Sequence, residues 1–273
     1  MERTVLITGC SSGIGRATAH AFLEEEWTVY ATARNTADIQ TLGEAGADIN
    51  ALDVVDPDDV ERVVDRIVEE DGRIDCLVNN AGYGQHGPLE DVPAQLLQRQ
   101  LDVNLVGPHR LVQAVLPYMR EQEDGTIVNV SSVAGRLAAP GMGAYSASKF
   151  AMEGYSDTLR NEVAGFDIDV SVVQPGPVET SFRDRVDDEI NRLDRTEAYD
   201  WVYDLQEDGS VVSGDSSPFA VTPEEVAAVI LEAGVSTNPD PRYTVGGFAN
   251  FAVKLRFLPD RLRDTVFGLL RKL

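Results

Sequence analysis

A tyrosine and a lysine four residues apart, Tyr145-Ser-Ala-Ser-Lys149, carry the clearest chemistry in this 273-residue chain. Residues at that spacing share one face of a helix. A free phenol titrates at about 10, too high to trade protons easily at neutral pH. An ammonium one turn away favours the phenolate and is expected to lower that value. The phenol could then act as general acid to a carbonyl or general base to an alcohol. Taken alone, the same pair suits an exposed helix surface equally well.

A second motif follows the first apolar run. Thr8-Gly9-Cys10-Ser11-Ser12-Gly13-Ile14-Gly15 sits between a strand pattern and a helix pattern. Glycines allow a sharp turn and close approach to a pyrophosphate, and the helix start adds unpaired N–H groups. The spacing is neither G-x-G-x-x-G nor a P-loop, and a purely structural turn is the competing reading. The carboxylate that would bond a ribose 2′-hydroxyl at the end of the second strand is missing. Its place falls to Ala33, followed by Arg34. A guanidinium there suits a 2′-phosphate, so NADP(H) is expected over NAD(H), with NAD(H) as the alternative.

Taken in order, the motifs resemble the short-chain dehydrogenase/reductase family in its non-extended branch. The matching pieces are Thr8-Gly-x3-Gly-Ile-Gly15, Asp53-Val54, Asn79-Asn-Ala-Gly82, Asn104, Ser131-Ser132, Tyr145-x3-Lys149 and Pro175-Gly176. The resemblance implies a catalytic set of Asn104, Ser132, Tyr145 and Lys149. Tyr145 would exchange the proton, Lys149 would hold the nicotinamide ribose, and Ser132 would bond the reacting oxygen. Ser132 lies 13 residues before Tyr145, the family's usual separation, and Ser131 is the alternative. Asn104 would bind a water in a proton relay; a buried Asn satisfying backbone is the competing reading. The implied cofactor-binding residues are Gly9, Ser11, Ser12, Gly13, Ile14, Gly15, Arg34, Asp53, Val54, Asn80, Ala81, Gly82, Tyr145, Lys149, Pro175, Gly176, Val178 and Thr180. Asn80-Ala-Gly-Tyr-Gly-Gln-His-Gly-Pro-Leu89 and Ala144 to Gly154 look like the steroid- and retinol-dehydrogenase-type branch, which implies a lipophilic ketone, aldehyde or alcohol.

The elements that must position these groups alternate. Val5–Thr8, Thr28–Ala33, a short run ending near Leu52, Cys76–Asn79, Thr126–Val130, Val170–Val173 and Arg242–Val245 read as strands. Arg16–Glu25, Pro57–Glu70, Leu101–Arg120, Tyr145–Val163 and a segment opened by Thr222 read as helices. Such alternation predicts one α/β domain over 1–273, a doubly wound parallel (Rossmann) sheet. Residues 179–218 break the rhythm and read as a mobile lid over the sheet, with Met142 and Phe182 facing the cleft. His86 follows the fourth strand, at the sheet edge where ligands bind, and is a candidate for touching substrate. His20 and His109 read as ordinary helix residues, and no spacing suggests a metal site.

Composition narrows the partners. There are 46 acidic against 23 basic residues, a formal charge of −23, and only three lysines. So acidic a chain is poorly suited to nucleic acid. The charge suits either an ordinary acidic cytosolic protein with a solvated surface or, as lysine scarcity favours, a salt-rich cytoplasm, where the screening length shrinks to about 3 Å at molar salt. Two cysteines, Cys10 and Cys76, fit a reducing compartment. The first residues hold only a three-residue apolar run, and no run approaches the roughly 20 residues of a spanning helix. A cytoplasmic protein is expected. From Arg242 onward, however, seven bases meet two acids. Within 247–273, Leu262, Val266, Phe267, Leu269, Leu270 and Leu273 fall along one helical face. This basic amphipathic segment could touch a membrane surface, or pack on the lid or a partner subunit.

The expectation is therefore a carbonyl/alcohol oxidoreductase using NADP(H). The family resemblance implies a homodimer or homotetramer paired through the helices of Asn104 and Tyr145. The alternatives are an NAD(H)-dependent or 3-oxoacyl reductase of the same family, or a dinucleotide sensor without turnover.

Overall fold

The computed structural model describes residues 3–207 and 219–270. Seven parallel strands form one sheet in the order β3-β2-β1-β4-β5-β6-β7. They are β1 (Thr4–Ile7), β2 (Thr28–Ala33), β3 (Asp48–Ala51), β4 (Cys76–Asn79), β5 (Gly125–Val130), β6 (Ile168–Pro175) and β7 (Arg242–Val245). The strand order reverses direction between β1 and β4, which opens a crevice at the carboxyl ends of those two strands.

Residues of the inner strands are buried on both sheet faces, which explains their continuous apolar runs. Along β1, Val5 and Ile7 join one core while Leu6 joins the other. The first core is closed by α1 (Gly13–Glu24), α2 (Gln40–Glu44) and α9 (Pro223–Val235), through Ala19, Phe22, Leu42 and Ile230. The second is closed by α3 (Pro57–Asp71), α5 (Gly107–Gln122) and α6 (Gly143–Val163). In α3 the apolar stripe Val60, Val63, Val64 and Ile67 faces the sheet. Asp56 caps its start by accepting from the Asp58 N–H at 3.0 Å, Pro57 takes the first position, and Gly72 ends it at φ 73°.

The helix expected over Leu101–Arg120 is divided. α4 (Ala94–Leu101) passes through one π turn at Asp102–Val106 before α5 begins. The wider turn carries Asn104 inward, where its amide meets the chain after β4. Such turns leave no periodicity signal and recur at functional sites.

The region expected as a lid contains two helices, α7 (Phe182–Ile190) and α8 (Asp200–Glu207), and residues 208–218 of it lie outside the described part. Polar contacts pin the described part to the chain after β4. Asp91 accepts from Thr196 Oγ1 at 2.6 Å, Thr196 N at 3.1 Å and Tyr203 Oη at 2.6 Å.

The C-terminal segment is two helices rather than one. α10 (Gly247–Leu255) and α11 (Asp260–Leu270) are separated around Pro259. Phe251 and Phe257 are 62% and 82% exposed, and Leu262 is half-exposed. The side chains of Val266, Leu269 and Leu270, and residues Arg271, Lys272 and Leu273, lie outside the described residues. Among the described residues no helix is long and apolar enough to cross a membrane.

Candidate active site

The switch point between β1 and β4 opens into a cavity of about 420 Å3. The β1–α1 turn forms one wall. Gly9 and Gly13 have φ of 73° and 53°, the left-handed region that glycine adopts at least cost. A Cβ on Gly9 would stand 2.9 Å from the Ala81 Cα, and one on Gly13 would stand 2.8 Å from Thr180 Cγ2. Asn80 braces the turn by donating from Nδ2 to the Thr8 carbonyl at 2.8 Å and the Gly9 carbonyl at 3.1 Å. Thr8 Oγ1 in turn accepts from the N–H groups of Asn80 and Ala81, each at 3.0 Å. The turn is thus rigid before any ligand arrives.

Of the residues expected to bind cofactor, all but Gly15 line this cavity. Gly15 is packed beneath the turn, where a side chain would collide with the Gly9 carbonyl. Arg34 is exposed at the end of β2 and has no hydrogen bond or ion pair among the described residues, while Asp53 and Val54 line the same end. Arg99 also lies there, its guanidinium 5.6 Å from the Tyr83 ring centre. Nothing in the local sequence marks Arg99, because it arrives on α4 from the neighbouring crossover. Cys10 is buried within the turn, its thiol pushed up to about 12 by desolvation, and is chemically quiet.

Tyr145 and Lys149 come from the first two turns of α6, and Ser132 follows β5. Tyr145 is 8% exposed and lines the cavity together with Ser132. Ser132 Oγ accepts from the Ala134 N–H at 3.1 Å, which fixes its rotamer. Ser131 also borders the cavity, and it is the Ser132 hydroxyl that opposes the upward shift of the Tyr145 phenol. Lys149 Nζ donates to the Val130 carbonyl at 2.8 Å and stands 5.8 Å from the Tyr145 ring centre.

The electrostatics differ from the expectation of a depressed phenol. Burial pushes Tyr145 up to about 12, against the opposing effect of the nearby Ser132 hydroxyl. Burial also brings the Lys149 ammonium down to about 8, against the stabilising carboxylate of Glu153. Desolvation outweighs the pairwise attraction that the four-residue spacing suggests. The site therefore holds a neutral phenol at physiological pH, ready to give a proton.

Asn104 does not reach the cavity surface. Its Oδ1 accepts from the Tyr83 N–H at 3.1 Å, and its Nδ2 donates to the Tyr83 carbonyl at 2.9 Å and to Ser148 Oγ at 3.2 Å. Gln100, one turn earlier, shares this work by donating to the Tyr83 carbonyl at 2.9 Å and accepting from the Gln85 N–H. Met142, Phe182 and His86 line the cavity beside Tyr145. The ring centres of Phe182 and His86 are 5.7 Å and 5.6 Å from that of Tyr145. His20 is exposed on α1, and His109 is bonded to Tyr155 at 3.1 Å. No cluster able to hold a metal occurs among the described residues.

The chain is similar to known proteins over most of its length. The chain is 34% identical over 270 residues to the Uncharacterized oxidoreductase YbbO of Escherichia coli, covering 97% of this chain and 94% of the relative. It is 36% identical over 261 residues to the 3-ketodihydrosphingosine reductase of Bacteroides thetaiotaomicron, covering 94% of each. Its structure is similar to that of a short chain dehydrogenase/reductase from Burkholderia phymatum in complex with NAD. The TM-score is 0.81 at 27% identity, covering 96% of this chain and 95% of that one. Residues 3–191 match the short chain dehydrogenase family. With the parallel sheet, the glycine turn and the Ser132–Tyr145–Lys149 cluster, this match makes the chain a member of the short chain dehydrogenase family.

Proposed function

We propose that this oxidoreductase uses NADP(H) to interconvert a lipophilic ketone or aldehyde with its alcohol, Tyr145 serving as the general acid and base. The observation that carries this reading is the convergence of Ser132, Tyr145 and Lys149 on one cavity wall, with Lys149 anchored on the Val130 carbonyl.

The cavity suits a nicotinamide dinucleotide. A side chain at Gly9 or Gly13 would close the turn that receives the pyrophosphate, together with Ser11, Ser12 and Ile14. Asp53 and Val54 would flank the adenine, and Asn80, Ala81 and Gly82 the adjoining ribose. Arg34 would pair with a 2′-phosphate. Pro175, Gly176, Val178 and Thr180 would border the nicotinamide end. When bound, the cofactor supplies the hydride that this chain lacks.

The chain's own residues do the rest. Ser132 donates to the substrate oxygen and keeps it against Tyr145. Tyr145 delivers its proton to that oxygen as negative charge develops there. Lys149 holds the ribose hydroxyls and places a positive charge near the phenol. Asn104 braces the chain after β4, and a water on the remaining lone pair of Oδ1 would complete a relay towards solvent. Met142, Phe182, Val186 and Phe248 give the substrate end an apolar lining, which supports a lipophilic substrate. The partly exposed Val106 and Phe150 support pairing of two copies through the π turn and α6.

The test is NADPH consumption in molar salt against a panel of hydrophobic and small polar carbonyls. Turnover of hydrophobic members supports the reading, and consumption with none of them contradicts it.

A further inference from the structure

His86 is buried in the cavity wall, 5% exposed, between Tyr145 and the lid helices. Its Nδ1 lies 3.0 Å from Gln206 Oε1 on α8. The Gln206 amide is oriented by its own Nε2, which donates to the Pro140 carbonyl at 3.2 Å. The atom facing the imidazole is therefore the amide oxygen, which has no proton to give. Nδ1 must be the donor, and in the neutral ring that leaves Nε2 as a bare acceptor. Burial holds the ring neutral by pulling its titration down to about 4. Arg183 and Asp187 of α7 act on it with opposite signs and smaller effect.

Nε2 has no hydrogen-bond partner among the described residues. Buried acceptors are usually satisfied, because an unmade bond in a dry site is costly. The atom lies at the point above Gly84 where Phe182 and Val186 also converge, next to the Tyr145 ring. A ligand that turns the Phe182 ring aside would meet this acceptor beside the Tyr145 ring.

We propose that His86 Nε2 is a substrate subsite that accepts a hydrogen bond from a hydroxyl or N–H one or two atoms from the reacting carbonyl. This rests on the carbonyl-reductase reading and names its substrate class, the hydroxy- or amino-substituted ketone. A second carbonyl or a carboxylate at that position is disfavoured, because its lone pairs would oppose those of Nε2. A site built around a buried acceptor also discriminates against the analogue that lacks the donor.

The experiment uses two matched pairs in which a methyl replaces the hydroxyl: 2-hydroxyacetophenone with propiophenone, and 3-hydroxypropiophenone with butyrophenone. In the wild-type protein, kcat/KM with NADPH should favour the hydroxyl member of at least one pair by about tenfold or more. In His86→Leu that ratio should fall to about one by the same argument. Equal rates within both pairs, or a preference that survives in His86→Leu, would overturn the proposal. If no ketone is consumed, the reductase reading fails, and the same ratio is then taken from dissociation constants on the protein with NADP+. A third readout needs no variant. With 15N-labelled histidine, of which the chain has three, the His86 Nε2 resonance should move when the hydroxyl member binds and not with the methyl member. An unmoved resonance, or one showing Nε2 protonated in the free protein, overturns the subsite.

Discussion

Lys149 Nζ donates to the Val130 main-chain carbonyl at 2.8 Å, and so is fixed to the end of β5 rather than to the phenol it accompanies. The charge beside Tyr145 is thus held by the sheet. Because burial lowers this ammonium to about 8, the charge is lost within an accessible pH range.

Carbonyl reduction should accordingly fall as pH rises through about 8, where Lys149 gives up its proton, while Tyr145 stays protonated to about 12. Lys149→Arg, whose charge persists, should move the alkaline limb upward by more than a unit if the variant still turns over. The check is kcat/KM against pH. A flat profile from neutral pH to about 10 would contradict the assignment of the limb to Lys149.

The strands and the glycine turn were legible because their signal is local. The inner strands are buried on both sides, so Val5-Leu-Ile and Cys76-Leu-Val announce themselves as continuous apolar runs. The Tyr145–Lys149 spacing likewise survives as one helix face. What was not legible depends on residues far apart in sequence. The π turn at Asp102–Val106 answers to Tyr83, and Asp91 finds its partners 105 and 112 positions later. The direction of the Tyr145 shift was hidden for the same reason. Spacing reports which charges are neighbours, and only the packed fold reports how much water has been removed.

Arg34→Ala should raise the Michaelis constant for NADPH by about 10- to 100-fold, the loss of one charged hydrogen-bonded pair. The effect on NADH should be much smaller. Steady-state kinetics with both cofactors decide it, and equal effects would remove the argument for a 2′-phosphate site.

Asp91→Ala should loosen the lid. It leaves the Thr196 and Tyr203 donors without their carboxylate, a loss of about 2 kcal/mol or more for charged hydrogen bonds. Hydrogen exchange across 196–207 should accelerate while the β-strands keep their protection. Unchanged exchange there would show that apolar packing alone holds α8.

With a formal charge of −23, the fold should weaken in dilute buffer and recover in molar salt. Self-repulsion is long-range at low ionic strength and confined to about 3 Å at molar salt. Melting temperatures across a potassium chloride series test this, and a temperature indifferent to salt would argue against a salt-adapted surface.

The most direct test is Tyr145→Phe, which removes the proton donor and leaves an apolar ring of the same shape. The account predicts a loss of turnover of about a hundredfold or more with NADPH affinity nearly intact, measured by carbonyl reduction and by cofactor binding on one preparation. A variant that still reduces carbonyls at close to the wild-type rate would contradict the role given to Tyr145.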